Sequence, residues 1–116
     1  MLEGRKDLIK NAPFCAYTGR PFSNRFRPSI EHVIPKSANG PNSLFNYMAV
    51  EKFTNCARSN MPLDQWFSLH PEYAKNVQNY LNFFRGIDNK YVEGLLKTLR
   101  KACSTVSFKK RLDIVA

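Results

Sequence analysis

The sequence predicts an α+β domain in which strand, loop, strand and short helix occupy residues 29–60 and further helices follow. Three observations predict it. The run Ser29-Ile30-Glu31-His32-Val33-Ile34 is β-prone and is stopped by Pro35. After the turn-forming stretch 36–43 (KSANGPNS), a second short apolar run, Tyr47-Met48-Ala49-Val50, follows. From Pro71 onward, apolar residues recur at helical spacing. A chain of 116 residues, 43% hydrophobic and 13% aromatic, has room for one domain and one modest core.

The elements can be justified in order. Residues 1–12 are polar apart from Leu8 and Ile9 and read as a short helix or a loose lead-in. Pro13 to Pro28 is dense in turn formers, which suits a tight hairpin about Tyr17-Thr18-Gly19-Arg20 and places Arg20, Arg25 and Arg27 on irregular backbone. Residues 51–60 lack Gly and Pro and end before Pro62, as a short helix would; Asn55 and Arg58, three apart, share a face of it. Leu63, Trp66 and Phe67 read as core. Pro71 suits a first helical position, with His70 or Ser68 in reach of the cap, and Tyr73, Val77, Tyr80, Leu81 and Phe84 mark one helix face before Gly86. Val92, Leu95, Leu96, Leu99 and Ala102 repeat the pattern, interrupted by Gly94. The basic tail 104–116 reads as a final strand or an ordered arm.

Composition narrows the function classes. No apolar run reaches membrane-spanning length and the first residues lack an apolar leader, so a soluble, cytoplasmic protein is expected. Three cysteines, Cys15, Cys56 and Cys103, are an odd number without a CxxC pair, which fits reduced thiols and no structural zinc. Eighteen Lys and Arg against nine Asp and Glu give a net charge of +9, which repels itself unless a polyanion neutralises it.

One segment does not read as packing sequence. In Glu31-His32-Val33-Ile34-Pro35-Lys36-Ser37 a carboxylate and an imidazole stand side by side, and Asn46, Asn55 and Arg58 follow at steps of 14, 9 and 3 from His32. If the helix packs across a hairpin of the two strands, Glu31, His32 and Asn55 converge, and oxygen ligands from Glu31 and Asn55 suit a hard cation that keeps several waters.

These residues, with Gly40, resemble the HNH endonuclease motif over residues 29–62, and especially the HNH domain of RNA-guided CRISPR nucleases. The resemblance implies a small ββα-metal (HNH, His-Me finger) unit, to which the additional C-terminal helices read over 63–103 are joined in a single domain 1–116. It also implies hydrolysis of phosphodiester bonds in nucleic acid, DNA rather than RNA. His32 would be the general base, since an imidazole titrates in the range such work requires. Glu31 and Asn55 would hold one Mg²⁺ or Mn²⁺. Asn46 would tie the loop so that His32 points at the scissile phosphate, and Lys36, Arg58, Arg25 and Arg27 would grip nucleic acid.

The sequence departs from the family pattern in three places. Glu31 stands where many members have Asp. Thr18, Glu51 and Thr54 stand where cysteines of two zinc knuckles would fall, so packing of Phe14, Tyr17, Phe22 and Phe45 is expected to replace the metal. Adjacent residues of a regular strand face opposite ways, so Glu31 and His32 share a site only if the strand bulges or ends there. The alternatives to a free-standing enzyme, whose targeting would come from a protein partner, are a basic nucleic-acid- or protein-binding module without cleavage and an accessory subunit of a larger nuclease or packaging complex, each on the same fold.

Overall fold

The computed structural model of the chain describes residues 1–103, so the expectation for the basic tail lies outside them. The element order is α1 (Arg5–Asn11), β1 (Pro28–His32), β2 (Tyr47–Glu51), α2 (Lys52–Arg58), α3 (Leu63–Leu69), α4 (Pro71–Arg85) and α5 (Asn89–Ala102), with single 3₁₀ turns at Lys36–Ala38 and Leu44–Asn46. The class is α+β, and strand, loop, strand and helix follow one another over residues 28–58. No helix among the described residues is long and apolar enough to cross a membrane.

Strands β1 and β2 pair antiparallel with Ile30 opposite Ala49 and His32 opposite Tyr47. The Val33 N–H donates to the Asn46 carbonyl, carrying the ladder one step further. Two strands alone are marginal in water, and the outer edge of β2 needs partners for its backbone. Those partners come from both ends of the chain. The Ala49 carbonyl accepts from Ala16 N–H at 3.0 Å. The Ala49 N–H donates to the Tyr80 hydroxyl at 3.1 Å, and the Tyr91 hydroxyl donates to the Tyr47 carbonyl at 2.7 Å. Helices α4 and α5 thus seal the edge through two buried tyrosines whose hydroxyls also meet at 2.8 Å.

Tyr17, Met48, Val50, Leu63, Phe67, Val77, Leu81, Leu95 and Leu96 fill the core beneath the sheet. Helix α5 runs unbroken through Gly94, and the glycine makes room for the Phe45 ring, which a Cβ there would approach to 2.3 Å. The helix is capped by the Asp88 carboxylate, which accepts from Tyr91 N–H. The expected capping by His70 is corrected. Its backbone holds the cap position of α4 but its side chain makes no cap bond; the imidazole stacks on Tyr73 with centroids 4.4 Å apart.

Candidate active site

Strand alternation sends Glu31 into the core and His32 to the opposite face. The strand ends at His32, however, and α2 crosses it, so both residues line one open cleft of about 220 Å³ with Pro35, Lys36 and Asn55. Asn55 fixes that crossing. Its amide nitrogen donates to the Ser29 hydroxyl at 3.0 Å and to the Ile30 carbonyl at 2.9 Å. Both N–H donors are then engaged, which leaves the Oδ1 carbonyl as the group able to meet a ligand.

His32 has its Nε2 3.0 Å from the Oδ1 of Asn42 and its ring against the edge of Tyr47. A carbonyl oxygen only accepts, so Nε2 carries the proton and the lone pair of the neutral ring lies on Nδ1. Asn42 sits in the turn-rich stretch after Pro35 and has no sequence signal of its own. The loop that delivers it is held by Asn46, fully buried, whose Oδ1 accepts from Ile34 N–H at 2.9 Å. Its Nδ2 donates to the Ile34 and Pro41 carbonyls at 3.0 Å each. Gly40 closes the same loop: a Cβ at that position would come within 1.7 Å of the Ile34 carbonyl oxygen.

Glu31 is not an open carboxylate. Its Oε2 accepts from the Tyr17 hydroxyl at 2.8 Å and pairs with the Arg58 guanidinium at 3.1 Å. Burial pushes the carboxyl above its ordinary value, against the pull of Arg58 and of the Tyr17 hydrogen bond. Oε1 has no partner among the described residues and is the oxygen left for a cation. In the sequence, Tyr17 carries no signal of a site residue, since in Cys15-Ala16-Tyr17-Thr18-Gly19 it reads as one aromatic in a turn.

The expectation that Arg58 grips nucleic acid is overturned. Its side chain is completely buried, donating to the Met61 carbonyl at 3.0 Å, the His32 carbonyl at 3.0 Å and the Val33 carbonyl at 2.8 Å. It pins the end of β1 to the end of α2. Lys36, Arg25 and Arg27 are exposed, Lys36 beside the His32 cleft and the two arginines in a different cleft.

The positions matching the zinc knuckles do come together, on different chemistry. Cys15 Sγ accepts from the Thr18 and Glu51 N–H groups at 3.4 and 3.3 Å, and Thr54 donates to Glu51 at 3.0 Å. Arg20 clamps the Glu51 carboxylate through Nε and Nη2 at 2.6 and 2.8 Å, and that hydrogen bonding holds its pKa below the ordinary value. The aromatic packing expected to replace a metal is therefore joined by an ion pair, and Phe45 packs on Gly94 of α5 instead.

Among the described residues no group of three or more His, Cys, Asp and Glu side chains is placed to hold a metal ion. The donors available to a cation are the Glu31 and Asn55 oxygens, a set that fits a hard divalent ion with several retained waters. Comparison with family models, curated proteins and solved structures finds no match to this chain.

Proposed function

We propose that the protein is a metal-dependent HNH-type endonuclease acting on nucleic acid, DNA in preference to RNA. The observation that carries this reading is the meeting of His32, Glu31 and Asn55 in one cleft, with Lys36 at its side. In the reaction, His32 Nδ1 accepts a proton from water as the water oxygen forms a bond to phosphorus. The bond from phosphorus to a bridging ester oxygen breaks, and solvent protonates the departing oxygen. Asn42 holds the imidazole in the tautomer that leaves Nδ1 free. Asn46 holds the loop that carries Asn42, and Lys36 attracts the phosphate. A Mg²⁺ or Mn²⁺ ion held by Glu31 Oε1 and Asn55 Oδ1 would neutralise charge building on the phosphate oxygens.

Supercoiled plasmid incubated with the protein and Mg²⁺ should be nicked or linearised, and EDTA should stop it. His32→Ala should lower the rate by about 10²- to 10⁴-fold, as loss of a general base does, and Asn55→Ala should raise the metal requirement. Nicking that survives His32→Ala would sink the mechanism. A second reading, a basic module that binds without cutting, is favoured by the engagement of Glu31 Oε2 with Tyr17 and Arg58. It predicts binding with no metal-dependent nicking.

A further inference from the structure

Phe53 and Asn55 lie two residues apart on α2 and so project about 200° apart around the helix. Asn55 faces the His32 cleft, and Phe53 faces a second one of about 340 Å³, between α2 and the loop leading into β1. Phe53 is 82% exposed. Phenylalanine is among the residues most often fully buried, and no core position requires it here.

Its surroundings specify what would cover it. Arg25, Arg27 and Lys52, all exposed, share the cleft with Phe53 and Phe26. The Arg20 guanidinium lies 3.9 Å and that of Arg25 5.3 Å from the centroid of the Phe26 ring. Glu51, the acid lining the cleft, is neutralised by two hydrogen bonds from Arg20. The result is a solvated aromatic face inside a ring of cations, the combination that takes a base by its π-face and the flanking phosphates by charge.

We infer that this cleft is a subsite for an unpaired nucleotide, with the base stacked on Phe53 and adjacent phosphates on Arg25, Arg27 and Lys52. The inference rests on nucleic acid being the ligand, as the nuclease reading holds. An α-helix with its side chains is about 10 Å across, so a single strand lying over α2 reaches both clefts. The substrate class is then nucleic acid with a single-stranded segment beside the scissile bond.

The test is binding of a fluorescein-labelled single-stranded oligonucleotide, and of its duplex, to the full-length His32→Ala protein in EDTA, where no cleavage occurs. Phe53→Ala should weaken single-strand binding by about 5- to 150-fold, the range for one base stacked on one aromatic ring. Duplex binding should change less, and Phe53→Tyr should restore the affinity. Arg27→Ala should instead reduce the log–log salt slope by about 0.7, the contribution of one single-strand phosphate contact.

Unchanged single-strand affinity in Phe53→Ala, equal loss on duplex, or full affinity in Phe53→Leu would each overturn the subsite. So would sedimentation showing a dimer that Phe53→Ala dissolves, which would assign the face to a second copy of the chain. Because Phe53 is exposed, its variants should keep the parent circular dichroism and melting temperature. Stacking without plasmid nicking by the unmodified protein leaves the subsite standing and removes the nuclease reading; nicking without stacking does the reverse.

Discussion

Arg58 donates to three backbone carbonyls and pairs with Glu31 while its side chain is wholly out of solvent. Removing a partner from such an arrangement leaves a buried charge uncompensated. Arg58→Ala should therefore cost on the order of 3–5 kcal/mol in urea unfolding. Arg58→Lys should recover little of that, because an ammonium cannot span the same three carbonyls. Residue type and helix face made Arg58 look like a phosphate ligand; its burial is a property of how α2 lies on β1, which residue type does not encode. Asn42 is the opposite case, an exposed loop residue whose side-chain hydrogen bond to His32 orients the proposed base. Asn42→Ala should lower kcat by about tenfold, the worth of one well-placed hydrogen bond. KM should stay near its original value, and Asn42→Asp, which keeps an acceptor, should restore kcat.

The loop between the strands and the hairpin before them are the elements that hold the cleft in shape. Gly40→Ala would put a methyl group into the Ile34 carbonyl and must open the loop that Asn46 closes. It should destabilise the protein by about 1–3 kcal/mol, the range for leaving buried backbone groups unpaired, and hydrogen exchange at the Ile34 amide should quicken. The Cys15–Arg20 hairpin is fastened to the start of α2 by the Arg20–Glu51 pair. Glu51 has a folded-state pKa below its ordinary value, chiefly through the Arg20 hydrogen bond. The unfolded chain then binds the proton more readily than the folded one. Its stabilising contribution is present above the ordinary carboxylate range and is lost as pH falls through the depressed value. Melting temperature should fall over that acid window, and Glu51→Gln should flatten the fall. The two strands, the short helix and the two long helices were legible because alternation, punctuation by Pro35 and Pro71, and helical spacing are local. The packing of Phe45 on Gly94 was not, since a glycine inside a helix reads as a weak point until its neighbour is known.

At the scale of the whole molecule, a charge of +9 is carried on a mixed α+β fold, and the proposed ligand is a polyanion. Nucleic-acid affinity should fall linearly on a log–log plot against salt, with a slope that counts the phosphates neutralised. If Lys36, Arg25 and Arg27 each contact one, the triple alanine variant should flatten the slope on single-stranded DNA by about 2. Arg58→Ala should leave that slope unchanged in protein that remains folded, because the buried guanidinium faces backbone carbonyls.

The sequence by itself determined the class of the fold and the order of its central elements, and it singled out Glu31, His32, Asn46 and Asn55 as candidates for a site. Each of these is written in local pattern or in spacing along the chain. Tertiary structure alone decided which oxygen of Glu31 meets Tyr17 and Arg58, that Arg58 is a buried staple, that Asn42 meets His32, and that Glu51 bonds Arg20. Those outcomes depend on which groups lose water together when distant segments pack, and a buried charge or donor takes whatever partner that packing supplies.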